Sequence, residues 1–406
     1  MRGPPRSAAY PEVSIEAVLE LEDELMGASD LYDHSHRQRH MCFLLWHAQH
    51  YRDKCAQLEH LCERYMRACA EITRLRRDAE LEVLSAARVI GMTTTAVSKY
   101  HDMLQAVKPS ILVVEEAAEV LESHVLAAIT PATKHVILVG DHEQLRPGTA
   151  VHDLAQRYKL DVSLFERLVR NGVEHVTLAR QRRSRPVLSG LLRPIYPHLE
   201  DHPDVERREE TRGMLHPLWF LTHTQPESAP EAGSASKVNV FEADTLTLLC
   251  RFLVNWAGYA EDQIVLLAMY AAQAALLRRR LSALGLEAVR CTTVDRFQGE
   301  EADLVLLSLV RSNSAGQLGF LGVSNRVCVA LSRARLGLFI AGNLAMLEAH
   351  QVWRNVAAYV RERGLAGDAW PLQLADGTVR RASDAAAFEV VDQFAANAAE
   401  RAAAQA

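Results

Sequence analysis

The sequence predicts an α/β protein built on parallel sheets flanked by helices, and three observations carry that prediction. Short, apolar runs (Ile111 to Val114, Val136 to Val139, Ile264 to Ala268 and, broken only by Ser308, Leu304 to Leu309) have the composition of strands covered on both faces. Stretches of helical periodicity separate these runs, so strand and helix alternate. Two of the runs end in polar clusters, Glu115-Glu116 and Gly140-Asp141-His142-Glu143-Gln144-Leu145-Arg146-Pro147. In open α/β sheets ligands bind beyond the carboxyl ends of the strands.

At 406 residues the chain exceeds a usual single core, so two domains are expected. With 49% hydrophobic and 24% charged residues it has an ordinary globular composition. No apolar run reaches the roughly 18 residues of a bilayer span, and Met1-Arg2-Gly3-Pro4-Pro5 lacks a signal-peptide core. A cytoplasmic or nuclear location is expected. The net charge of −6 argues against a wholly basic coat for nucleic acid but leaves room for a local basic cleft. Seven cysteines include no Cys-x-x-Cys, so neither a disulfide framework nor a zinc site is indicated.

Residues 1–37 read as a disordered start with a short helix over 13–26. Residues 38–88 contain no Pro or Gly, and Met41, Leu44, Ala48, Tyr51, Cys55, Leu58, Cys62, Tyr65, Cys69 and Ile72 recur at heptad spacing. That predicts a long helical stalk whose seam packs on a partner helix. Cys55, Cys62 and Cys69 are about 10.5 Å apart on a helix, too far for one ion, and belong to the seam. His36 and His40 lie one turn apart but have no acidic residue between them, and read as solvated.

Residues 89–179 form a first sheet domain. Val89 to Thr95 predicts a strand whose end offers the hydroxyls of Thr93 and Thr94 to phosphate or sugar; a plain threonine-rich strand end has the same composition. Glu115 and Glu116 emerge from the next strand to different sides. One could hold Mg²⁺ through water while the other orients or deprotonates an attacking water. An acidic pair opening a helix also simply complements the helix dipole, and on the residues alone both readings stand. Helices over 149–159 and 162–171 and a strand near 175–179 follow.

Residues 180–365 form a second block. It opens with Gln181-Arg182-Arg183-Ser184-Arg185-Pro186, a basic turn that is either a solvated surface or a forked reader of phosphate. A flexible insertion at 226–236 precedes a helix over 239–257, a strand at 264–268 and a helix opened by Tyr270 and Gln273. Strands near 288–293, 304–309 and 338–343 and helices from 325 and over 344–364 complete it. Residues 366–406 read as a C-terminal tail.

Five of these stretches together resemble a known family. VVEEAAE (113–119), GDHEQL (140–145), the Gln-x-Arg-x-x-Pro of 181–186, TVDRFQGEEAD (293–303) and VALSRAR (329–335) have the order and spacing of superfamily-1 helicase motifs of the up-frameshift type. VIGMTTTAVSKY, SLFERLVRNGV, LSLVRSN and NRVCVALSRA resemble the NFX-type zinc-finger-containing helicase-like proteins in particular. The resemblance covers about residues 38–390. It implies two RecA-like P-loop NTPase domains with ATP between them and a single RNA strand, or DNA, across their top.

By that carry-over Glu115 serves Mg²⁺, Glu116 the attacking water and Gln144 the γ-phosphate, while Arg183 and Arg333 act as arginine fingers. Asp141, Gln181, Gly299 and Glu301 join the nucleotide site; Thr93, Thr94, Thr292, Thr293 and Asp295 face nucleic acid. RNA surveillance or small-RNA silencing is the implied setting.

The sequence departs from the family pattern at several places. No Gly-Lys pair occurs in the chain, so the loop whose backbone N–H groups and lysine cradle phosphate is missing, which reads as a truncated gene product. The usual metal-position Asp is Glu115, an aromatic or His is replaced by Arg182, a Met by Ser184, and the family's zinc repeats do not follow. Two functions are therefore expected: an ATP-dependent RNA helicase-like enzyme, or an inactive scaffold that keeps the fold and binds RNA or protein. A partner-binding coiled coil attached to a decayed helicase is a third.

Overall fold

A computed structural model describes residues 30–228 and 236–405; the short helix read at 13–26 lies outside them. The chain forms two compact units, one of residues 1–92 with 102–107, the other of 93–101 with 108–406.

The first unit is dominated by one helix of 51 residues, His36–Ala86. It starts at a capping box: Ser35 Oγ accepts from the Gln38 N–H while Gln38 Oε1 accepts from the Ser35 N–H. At 1.5 Å per residue it runs for about 76 Å. Met41, Cys42 and Leu45 are buried, and the heptad residues Tyr51, Leu58, Tyr65 and Ile72 are exposed in the single chain.

In the second unit β1 (Ile111–Val114) and β2 (His135–Leu138) pair in parallel, as their apolar runs predict. They are not buried as expected. Ile111 and Val113 are each 55% exposed, and Val136 and Ile137 are also open, because among the described residues this sheet has only two strands. The strand expected over 89–95 is not formed. Thr93 caps the helix Thr94–Lys99 instead, its Oγ1 accepting from the Ala96 N–H, so capping preference outweighs β-propensity. No strand forms at 175–179 either; β3 (Arg180–Gln181) pairs in parallel with β4 (Glu200–Asp201) just beyond it.

The main sheet has six parallel strands in the order β10-β5-β9-β8-β6-β7. These are β5 (Leu218–Thr222), β6 (Ile264–Ala268), β7 (Arg290–Thr293), β8 (Ala302–Ser308), β9 (Ala334–Gly342) and β10 (Ala366–Gly367). Strand alternation divides the core between the two faces. Leu266, Leu304, Leu306 and Phe339 pack with residues of the helices Val240–Asn255 and Ala271–Ala283; Val265, Val305, Leu307 and Ile340 pack with Trp353, Val356 and Val360 of Gln351–Glu362. Sequence reading missed β5: its short apolar run between charged loop and insertion carries no periodicity to separate strand from helix. The helix expected over 344–364 is two helices, Leu344–Leu347 and Gln351–Glu362, the first capped by Asn343.

The segment read as a tail is folded. β10 extends the sheet, β11 (Trp370–Gln373) and β12 (Val379–Ala382) form an antiparallel pair, and a helix runs over Ala385–Gln405. Trp370 and Phe388 are fully buried, and Trp370 Nε1 donates to Thr245 Oγ1 at 2.8 Å. Leu372, Leu374, Ala382, Val391 and Ala395 join the same core, and an alanine-rich, charged stretch hides anchors spaced this irregularly. Trp370→Ala is expected to cost about 3–5 kcal/mol of unfolding free energy. Urea denaturation checks this, and a loss within the roughly 0.5 kcal/mol typical of surface changes would separate the segment from the core.

Candidate functional site

The site is built where the turn after β1, the loop after β2, the basic turn at β3 and the start of β9 meet within the second unit. The first two lie close together for a steric reason. A side chain on Gly140 would come within 2.9 Å of the Ala118 nitrogen and 3.0 Å of the Ala117 nitrogen, so only glycine allows this approach. The Ala117 N–H donates to the Val139 carbonyl at 2.9 Å and ties the two turns. Glu116 has φ of 49°, in the left-handed region that non-glycine residues seldom occupy. Its carboxylate faces Gly299 (φ 76°), whose missing Cβ would sit 3.8 Å from Glu116 Oε1.

Asp141 organises the second loop. Its Oδ1 accepts from the Glu143 N–H at 3.1 Å, and its Oδ2 accepts from Gln144 Nε2 at 2.9 Å and from the Tyr196 hydroxyl at 2.7 Å. With its amide nitrogen held there, Gln144 turns its Oε1 to accept from Arg333 Nη2 at 2.7 Å. Asn325 Nδ2 donates to the carbonyls of His142 at 2.9 Å and Gln144 at 2.5 Å. The loop is thus held from the β5–β10 sheet region by three side chains, Tyr196, Asn325 and Arg333.

Arg333 is 1% exposed, just before β9. Its Nε donates to the Val329 carbonyl at 3.1 Å, and Nη1 reaches the Glu300 carbonyl at 3.4 Å. Burial, reinforced by the neighbouring Arg183 charge, pulls its pKa down to about 10, so it stays cationic at neutral pH. Arg183 donates through Nε to Glu301 Oε2 at 2.8 Å and through Nη1 to the Ser332 carbonyl at 3.1 Å. Gln181 shapes that turn: its Oε1 accepts from the N–H groups of Arg183 and Ser184, and its Nε2 donates to Ser184 O and Asp201 Oδ1. Ser184 Oγ, in turn, donates to the Ala334 carbonyl at 2.6 Å and docks the turn on β9.

The structure therefore brings together Glu116, Asp141, Gln144, Arg183, Gly299, Glu301 and Arg333, with Gln181 holding the turn that carries Arg183. Glu115 is exposed and makes no hydrogen bond to the cluster among the described residues. Thr93 and Thr94 form none to it either, Thr93 being engaged as a cap. Thr292 and Thr293 end β7 at the carboxyl edge of the main sheet, where Asp295 makes a fork-like ion pair with Arg326. Sequence reasoning missed Tyr196, Asn325 and Cys328, whose Sγ lies 3.1 Å from the Tyr196 hydroxyl. Asn325 and Cys328 lie inside the NRVCVALSRA stretch, where no role was assigned to them; nothing local marks Tyr196.

Among the described residues no group of three or more His, Cys, Asp or Glu side chains could hold a metal by itself. The donor set nevertheless suits Mg²⁺, which takes one or two carboxylates and completes its shell with water and phosphate oxygens. Partial burial, then the charges of Glu116 and Asp295, push the Glu119 carboxyl up from its ordinary value.

The Arg183 hydrogen bond, then its charge, holds the Glu301 carboxyl below the usual carboxylate range. A depressed folded-state pKa contributes stability above the unfolded value near pH 4.3, and that contribution fades as pH falls through the lowered one. Arg183→Ala is expected to return Glu301 toward the ordinary range in a carboxyl-carbon NMR titration. A carboxyl that stays low would assign the effect to Arg335, 3.6 Å away.

Two AAA domain families match the chain, one over residues 44–150 and the other over 160–345. The mouse NFX1-type zinc finger-containing protein 1 is 39% identical over 345 residues, covering 85% of this chain and 18% of that protein. The Schizosaccharomyces pombe helicase required for RNAi-mediated heterochromatin assembly 1 is 38% identical over 367 residues, covering 88% and 36%. A Drosophila melanogaster regulator of nonsense transcripts 1 homolog is 31% identical over 302 residues, covering 71% and 25%. The chain thus spans between about a fifth and a third of the length of these relatives. With its motifs in order and these relatives along most of its length, the chain belongs to the up-frameshift-type superfamily-1 helicases, together with the NFX1-type zinc-finger proteins.

Proposed function

We propose that the chain is an RNA helicase-like module that handles ATP with Mg²⁺ at the Gln144–Arg333 cluster and single-stranded RNA at the carboxyl edge of its main sheet. In this reading residues 38–88 are a stalk, 89–179 belong to a first RecA-like domain, and 180–365 form a second, to which we add the docked 366–395. The observation that carries it is the 2.7 Å contact between Arg333 and Gln144, opposite the Glu116 turn. It supports a crevice in which cationic and polar groups from both domains address one triphosphate.

Glu115 would hold Mg²⁺, which when bound would supply positive charge against the triphosphate. Glu116, fixed in its unusual backbone conformation, would orient the attacking water and accept its proton. Gln144 would hydrogen-bond the γ-phosphate by exchanging its contact with Arg333 for one to phosphate. Arg333 and Arg183 would then share the charge that develops on the transferring group. RNA is favoured over DNA by the relatives' names, which refer to nonsense transcripts and RNAi. No described helix is long and apolar enough to cross a membrane.

A second reading, an inactive scaffold that binds RNA or protein without turnover, is favoured by the sequence itself, since none of the 406 residues forms a Gly-Lys pair. Both readings are tested together. The chain is expected to bind single-stranded RNA with an affinity that falls as salt rises, and to hydrolyse ATP no faster than buffer. Robust RNA-stimulated turnover would contradict the need for the lysine, and failure to bind RNA at low salt would remove the nucleic-acid part. In a protein joining these residues to a phosphate-binding loop, Glu116→Gln is expected to abolish hydrolysis and spare ATP binding; undiminished turnover would take Glu116 out of the mechanism.

A further inference from the structure

At the carboxyl edge of the main sheet Tyr270 and Phe320, which lie outside the quoted motifs, meet Asp295 and Arg326, which lie inside them. Ala268, Thr293 and Ser308 are register partners at the ends of β6, β7 and β8, and Tyr270 and Asp295 follow two residues after the first two. The Tyr270 ring stacks on Phe320, with centroids 5.0 Å apart and planes 27° from parallel. The Tyr270 hydroxyl fixes this pair, accepting from the Phe320 N–H at 3.3 Å and from Arg311 Nη1 at 3.2 Å. The Arg326 guanidinium carbon lies 4.3 Å from the Phe320 centroid. Its own plane is held by Asp295, through Nε to Oδ1 at 2.9 Å and Nη2 to Oδ2 at 3.1 Å.

Three planar groups are thus linked through Phe320. Arginine over an aromatic ring is common in this chain. Among the described residues, however, only here is the ring also stacked on a second aromatic side chain. Tyr270 is buried, yet Phe320 is 44% exposed and about a quarter of the Arg326 side chain is open to solvent (26%). An aromatic ring left this open in a short Gly319–Gly322 turn gains little from folding, because its surface stays wet. What it offers is a rigid π-surface beside a cation. Single-stranded nucleic acids are bound by such surfaces, bases stacking on aromatic rings or on guanidinium planes.

We propose that Phe320 and Arg326 form a base-stacking subsite, on which one nucleobase of a single strand continues the Tyr270–Phe320–Arg326 series. Asp295 acts as a positioning residue that keeps the guanidinium flat and correctly turned. The proposal rests on the RNA-binding reading above and adds where a base, as distinct from the phosphate backbone, is recognised.

The test uses the full chain and two fluorescent probes, a short oligoadenylate and an abasic strand of the same length, followed by anisotropy at fixed salt. The wild type is expected to prefer the base-bearing strand. Phe320→Ala is expected to weaken that strand roughly five- to a hundredfold and to leave the abasic strand unchanged. Arg326→Lys, which keeps the charge but loses the plane, should also lose base preference alone. Phe320→Trp should retain it, with tryptophan fluorescence quenched by the oligoadenylate and not by the abasic strand.

Equal losses on both probes would make these residues backbone contacts or structural supports and overturn the proposal, as would Phe320→Ala binding like wild type. If wild type binds neither probe, the RNA reading itself falls and takes the subsite with it.

Discussion

The hydrogen bond from Arg333 to Gln144 is the contact on which the rest of the site depends. Asp141 and Tyr196 turn the Gln144 amide so that its oxygen faces outward, and the carbonyls of Val329 and Glu300 aim the guanidinium at it. A guanidinium that is 1% exposed carries a large desolvation cost, which only well-placed acceptors can offset. The arrangement is therefore one of few that this stretch of chain can adopt without orphaning a buried charge.

The same constraint organises the neighbouring charges. Arg183 lies near enough to lower the pKa of Arg333, so two cations are kept beside each other. Glu301 balances one of them from the partly exposed side, and Glu116 lies on the other. The two guanidiniums are held side by side because each has its own acceptors, Glu301 and the Ser332 carbonyl for Arg183, Gln144 and the Val329 carbonyl for Arg333.

Much of this was legible in the residues. Strands β6, β8 and β9 announced themselves as largely apolar runs, and the family resemblance implied a shared site for Gln144, Arg183 and Arg333, of which Arg333 and Gln144 are in contact. Other parts were not legible, for identifiable reasons. Thr93 has the β-branched composition of a strand residue but sits where a helix needs a cap, and local hydrogen bonding decided the matter. The 366–395 segment is held by Trp370 and Phe388 with smaller apolar residues around them, at a spacing that has no single period to reveal it. The stalk shows the converse: its heptads did predict a helix, but a repeat specifies a surface and not what covers it. Tyr196 lies 55 residues from its partner Asp141, a separation that no local pattern spans.

The two-stranded β1–β2 ladder has a material consequence. Each strand pairs with the other on one side alone among the described residues, so main-chain donors and acceptors along the outer edges remain available, flanked by Ile111, Val113, Val136 and Ile137. Flat apolar edges of this kind recruit further strands from neighbouring molecules. For a preparation of this polypeptide in isolation, the practical ceiling would be set by clumping through these edges as concentration rises, well before the six-stranded core lets go.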